Sequence, residues 1–207
     1  GLPETPPEGA RILWQGAPAP WALAKSALAA HWVGGYFGLL AVWRGLALGT
    51  TDGLAAGLGA VLWYAVVGLI AVGVLYVMAR IMAKSTVYTL TTHRVAMRIG
   101  AALTVTLNLP YRWITAADLA IHRDGTGSIH LKLKGENKFS YLVLWPHIRP
   151  WRMRRPEPTL RALPDARAVA QILGNAAEAR VSTITNELGT DDTNAVASPA
   201  PAPIAAE

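Results

Sequence analysis

The chain has 207 residues, of which 52% are hydrophobic and 15% charged, and its mean hydropathy is +0.29. A soluble domain carries a charged share nearer a quarter, so part of this chain is expected to face something other than water. The net charge is +6 and there are no cysteines, which excludes a disulfide scaffold, a cysteine nucleophile and a thiolate metal site.

Charge is unevenly distributed. Arg80 to Arg180 holds 16 Lys/Arg against 6 Asp/Glu, whereas Asp52 is the one charge between Gly45 and Ala79. Residues 1–20 are expected to form an N-terminal cytoplasmic segment whose acidic, proline-rich start (Pro3, Glu4, Pro6, Pro7, Glu8) is unlike the basic start of a signal peptide.

Residues 21–83 read as a two-helix transmembrane region. Ser26 to Trp43 gives 18 uncharged residues, about 27 Å as a helix, and Gly53 to Ala79 gives 27 more, with a turn at Gly49 to Gly53. Arg11 and Lys25 precede the first span and Arg80, Lys84, Arg94 and Arg98 follow the second, against Arg44 at the turn. This asymmetry predicts a multi-pass inner-membrane protein with both termini cytoplasmic. Trp21, Trp32 and Trp43 fall where interfacial indoles sit. Small residues recur at spacing four, as in Gly34/Gly38, Gly45/Gly49 and Gly53/Gly57, which suits packing inside the hairpin or a homodimer or partner-helix face.

From residue 84 to 180 the pattern changes to short alternating segments. Strands are predicted at Ser85–Thr91, Arg94–Ile99, Leu103–Leu109, Asp118–Arg123, Ser128–Lys134 and Phe139–Trp145, separated by turn-forming residues. A helix from Asp165 to Arg180 is expected to cap the resulting antiparallel barrel or sandwich. The fold class is therefore an α+β membrane protein, a helical hairpin followed by a small β-domain. Residues 181–207, with no Lys or Arg after Arg180 and a Pro-Ala run, are expected to be a disordered tail.

No catalytic motif is present, and an enzyme is not expected: the hairpin carries ionisable groups only near its boundaries, at Lys25, His31, Arg44 and Asp52. The histidines are scattered. His122 and His130 share a hairpin face without a third ligand, so no metal site is assigned. The densest chemistry lies in Leu144 to Pro156. There Trp145, Arg149, Trp151, Arg152, Arg154 and Arg155 form a candidate surface for anionic headgroups or an acidic protein face, each basic residue near such a bilayer contributing about 1 kcal/mol. The alternative is buried tryptophan and solvated arginine. Nucleic acid is disfavoured, because position beside a membrane accounts for the basic charge. His31 follows the small residue Ala27 by one helical turn, a spacing that would leave room for a macrocyclic pigment such as bacteriochlorophyll; otherwise His31 is an interfacial imidazole, and no other cofactor is implied.

Ser85 to Gly100 resembles the opening hairpin of bacterial pleckstrin-homology (PH)-type membrane proteins. More specifically, Ile12-Leu-Trp-Gln-Gly16, Leu107-Asn-Leu-Pro110, Asp124-Gly-Thr-Gly127, Leu144 to Trp151 and Pro158 to Pro164 are similar to the PuhB-type photosynthetic complex assembly proteins of purple phototrophic bacteria, in order from about Glu8 to Ala177. The resemblance implies a non-catalytic membrane factor that assembles or stabilises the reaction centre with light-harvesting complex 1. Implied partners are the light-harvesting 1 polypeptides and the reaction-centre subunits, the H subunit among them. It carries over no binding residues. The alternative is a general bacterial PH-domain membrane protein that binds lipid headgroups or a protein partner and has no photosynthetic role.

Overall fold

The computed structural model describes residues 10–100, 104–135, 144–150 and 156–196. In chain order the elements are β1 (Ile12–Gly16), α1 (Pro20–Ala27), α2 (Ala30–Thr51), α3 (Leu54–Ser85), β2 (Val87–Thr91), β3 (Arg94–Ile99), β4 (Val105–Pro110), β5 (Ile114–Ile121), β6 (Gly127–Leu133), β7 (Thr159–Leu163) and α4 (Ala166–Val196). Two antiparallel sheets form, ordered β1-β2-β3-β4 and β5-β6-β7.

Alternation places the core. Tyr88 and Leu90 of β2, Val95 and Met97 of β3, Leu107 and Leu109 of β4, and Ile129 and Leu131 of β6 are buried in one cluster between the sheets. Val169, Leu173 and Ala176 of α4 join it at helical spacing, so this helix closes the open side of the sandwich. In β7 the register with β6 shifts between Gly127↔Leu163 and Ile129↔Leu160, and Ala162 takes a left-handed φ of 56°. This bulge lets Leu160 and Leu163 both enter the core while Ala162 packs instead with Ala22, Leu23 and Ala24 of α1 and Ala79 and Ala83 of α3.

The helices are an insertion in the β-domain. β1 pairs with β2 (Gly16↔Tyr88, Trp14↔Leu90), and everything between them in sequence is α1, α2 and α3. The domain's first strand thus precedes the helical pair, where a plain N-terminal segment was expected. β7 was likewise unexpected.

The helical region differs from expectation in three ways. First, the uncharged stretch from Ser26 to Trp43 is not one helix: α1 stops at Ala27, Ala29 adopts a left-handed φ of 53°, and α2 starts afresh at Ala30. Second, α3 is, among the described residues, the one helix long and apolar enough to cross a membrane; α2 has 22 residues but includes His31 and Arg44. Third, the small residues differ in role. At Gly57 the backbones of α2 and α3 meet, and a Cβ there would lie 2.6 Å from the Gly45 carbonyl oxygen and 2.9 Å from the Gly49 Cα. Gly34 would make ordinary contact with Val72, and Gly38 meets nothing within 4 Å. Gly53, at φ 93°, is the turn residue between the helices and does not pack.

The C-terminal helix extends to Val196, so residues 181–196 are helical where a disordered tail was expected. Residues 197–207 lie outside the described residues, as does most of the strand expected at Phe139–Trp145; its last two residues, Leu144 and Trp145, are not in a strand.

Candidate interaction surface

Strand direction gives the domain two ends. Gly16, Val87, Ile99, the β5–β6 turn at Asp124 and Gly125, and Leu163 share the end that carries the helices. At this end the Ala19 amide donates to the Ala162 carbonyl at 2.8 Å, and Lys25 of α1 forms an ion pair with Asp124. Lys25, and then the Thr126 hydroxyl and amide, hold the Asp124 carboxyl well below the usual carboxylate range. The opposite end carries Ile12, Thr91, Arg94 and Pro110.

The segment 144–150 runs antiparallel to the approach to β7, with Ile148 bridged to Pro158 and the Thr159 amide donating to the His147 carbonyl at 2.9 Å. Trp145 is 41% exposed. Arg149 is not a free cation: its guanidinium bonds the Glu157 carboxylate at 2.9 Å and the Asp118 carboxylate at 3.2 Å, and Asp118 also holds Lys132 at 2.9 Å. Lys132 and then Arg149 lower the Asp118 pKa, and Glu157 raises that of Arg149. Arg149 therefore closes a charge network across β5, β6 and the strand entry, instead of presenting charge to a headgroup. Trp151, Arg152, Arg154 and Arg155 lie outside the described residues. The residues flanking them, Arg149 and Glu157, sit level with Lys132 near the end of β6 away from the helices.

The residue that sequence reasoning passed over in this segment is His147. It is buried, and its ring sits between β2 and the last turn of α3. Tyr88 Oη lies 2.6 Å from Nδ1 and Thr86 Oγ1 lies 3.1 Å from Nε2. The partners settle the proton positions. The Thr86 hydroxyl donates its one proton to the Met82 carbonyl at 2.8 Å, so it accepts from Nε2–H. Nδ1 is left to accept from the Tyr88 hydroxyl, whose oxygen also accepts the Arg161 amide at 3.2 Å. Arg161 also bonds the Pro146 carbonyl at 2.8 Å, after the cis Trp145–Pro146 peptide. Burial, with a smaller contribution from Arg161, pushes the His147 pKa down to about 3, so the imidazole is neutral, as this chain of donors requires. Burial likewise raises the Tyr88 pKa. The clasp ties the end of α3 to β2, β7 and the segment carrying Trp145.

His31 lies at the exposed start of α2, its ring 5.6 Å from that of Trp32. Because Ala27 and His31 belong to different helices, the spacing argument for a pigment over one helix loses its basis. His122 and His130 also part: His130 Nδ1 bonds Thr159 Oγ1 at 2.9 Å, whereas His122 faces a cleft beside α1.

The profile of the bacterial PH domain family matches residues 30–177. A relative from Rhodobacter capsulatus, named as an uncharacterized 23.7 kDa protein in the puhA 5′ region, is 38% identical over 184 residues, covering 88% of this chain and 86% of the relative. No solved structure matches. An antiparallel fold of seven strands among the described residues, closed by a C-terminal helix, a family profile spanning most of the chain and a relative aligned along nearly all of it agree: the chain belongs to the bacterial PH-domain family and is consistent with a PuhB-type protein.

Proposed function

We propose that this protein is a non-catalytic inner-membrane factor that assembles or stabilises the bacterial reaction centre–light-harvesting 1 complex, with α2 and α3 in the bilayer and the β-domain on the cytoplasmic face. The observation that carries the membrane part is the outward face of the inserted helices. Leu58, Leu62, Trp63, Leu69 and Ile70 of α3, with Leu39, Trp43 and Leu46 of α2, are all exposed, and the most apolar stretch of α3 is only 11% buried. Monomeric soluble proteins rarely leave apolar patches of this extent in water. At about 1.5 Å per residue, the 32 residues of α3 exceed a hydrocarbon core of about 30 Å.

The photosynthetic part is supported by the resemblance to PuhB-type proteins and by the relative from the puhA region of Rhodobacter capsulatus. In this reading the hairpin docks against reaction-centre or antenna helices, the H subunit being one candidate, and the β-domain meets their cytoplasmic faces. Its absence of turnover rests on the lack of any catalytic motif in the sequence.

The test is an in-frame deletion in the native host, complemented with the intact gene. Near-infrared absorbance of membranes should show reduced reaction-centre–antenna yield in the deletion strain and recovery on complementation. Unchanged yield during active photosystem synthesis would favour a PH-domain membrane protein without a photosynthetic role.

A further inference from the structure

The elbow between α1 and α2 faces the β5–β6 turn across a cleft of about 400 Å³, lined by Ala22, Lys25, Ser26, His31, His122, Arg123, Asp124 and Thr126. Its polar groups come from three separate elements that meet only in the folded chain. The Asp124 carboxylate is occupied by Lys25 and by Thr126, whose hydroxyl donates to it at 2.6 Å. That pair is neutral as a unit. Arg123, with no carboxylate partner among the described residues, leaves the cleft cationic, and the two imidazoles and the Ser26 hydroxyl add further donors. The 22-residue helix α2 also begins here with no side-chain cap on its first turn.

We infer that this elbow cleft binds the phosphate of an anionic phospholipid headgroup. Guanidinium, hydroxyl and imidazole donors around an uncapped helix start match a phosphodiester, which carries one negative charge and only acceptor oxygens. The Ala22 methyl and the imidazole faces supply apolar wall for the glycerol portion. Exposed indoles flank the site on both helices, Trp21 on α1 and Trp32 on α2, as at a headgroup boundary. The assignment of a lipid source rests on the membrane reading above; the phosphate chemistry does not.

The test uses the full chain, purified in mild detergent and examined by native mass spectrometry after incubation with phosphatidylglycerol, phosphatidylcholine or inorganic phosphate. Phosphatidylglycerol should be retained in preference to phosphatidylcholine, and R123Q combined with H122Q should weaken retention about tenfold, the size expected for one basic-group contact together with one weak hydrogen bond. S26W, which fills the cleft from an exposed position without removing a charge, should do the same, while R112Q at the far end of the domain should not. Retention equal to wild type in both cleft variants overturns the site. Full displacement of the lipid by inorganic phosphate at comparable concentration overturns the lipid assignment and leaves a free-phosphate site. Alkaline carbonate extraction of native membranes runs beside it: release of the protein would defeat the membrane reading, while the retention ratios still decide the cleft.

Discussion

His147 shows how one buried side chain ties a helix to a sheet. A neutral imidazole accepts from Tyr88 and donates to Thr86, and every donor in the chain from the Arg161 amide to the Met82 carbonyl has an acceptor. Protonation would turn Nδ1 into a donor, take away the acceptor of the Tyr88 hydroxyl proton, and bury a cation. The folded pKa of about 3 lies below the ordinary 6.5, so between these values the unfolded chain binds more protons than the folded one. The clasp's contribution is therefore complete above about pH 6.5 and is lost as pH falls toward 3, by about 1.4 kcal/mol for each pH unit. Thermal unfolding in detergent at pH 7.5 and pH 5 should show this loss in the wild type and a shallower one in H147Q. Equal slopes would mean that His147 is not the titrating group. Nothing in the sequence marked this residue: it lies 59 positions from Tyr88, and its setting of Trp, Pro and Arg reads as surface.

Among elements, strands with regular alternation were legible, and those defined by distant partners were not. Val95, Met97 and Ile99, or Ile129 and Leu131, announce a strand with one core face. β1 has five residues, and its partner β2 lies beyond the whole helical insertion; β7 is buried along its full length, so neither shows a period. The break at Leu28 and Ala29 uses neither glycine nor proline, which is why an unbroken span was expected there. Glycine spacing likewise overstated the packing positions, because a residue's place on a helix face does not say which face meets the neighbour. The distinction is measurable. G57L should separate α2 from α3 and destabilise the protein by about 1–3 kcal/mol, whereas G38L, with open space around it, should be near neutral in the isolated protein. If G38L nonetheless disrupts a complex in membranes, that face of α2 meets a partner helix.

For the molecule as a whole, the insertion of the helices between paired strands fixes the domain's orientation. Chain enters the helical region from β1 and returns into β2 at the same end of one sheet, and Lys25–Asp124 and Ala19–Ala162 fasten α1 to the other sheet. A bilayer around α2 and α3 would therefore face the β5–β6 turn, while Arg149 and Glu157 lie at the far end of the domain. The cysteine-free sequence makes this topology directly testable. A single cysteine at Thr51, the last residue of α2 before the turn, should react with a membrane-impermeant maleimide in intact spheroplasts, and one at Thr115 on β5 only after lysis. Reaction of both before lysis, or of neither, would contradict the assigned orientation.

The most direct measurement is an affinity purification of the tagged protein from gently solubilised membranes of its native host, with the eluate read by mass spectrometry and near-infrared absorbance. The account predicts reaction-centre or light-harvesting 1 subunits enriched over an untagged control. An eluate holding only lipid and unrelated envelope proteins, from cells actively building photosystems, would contradict it.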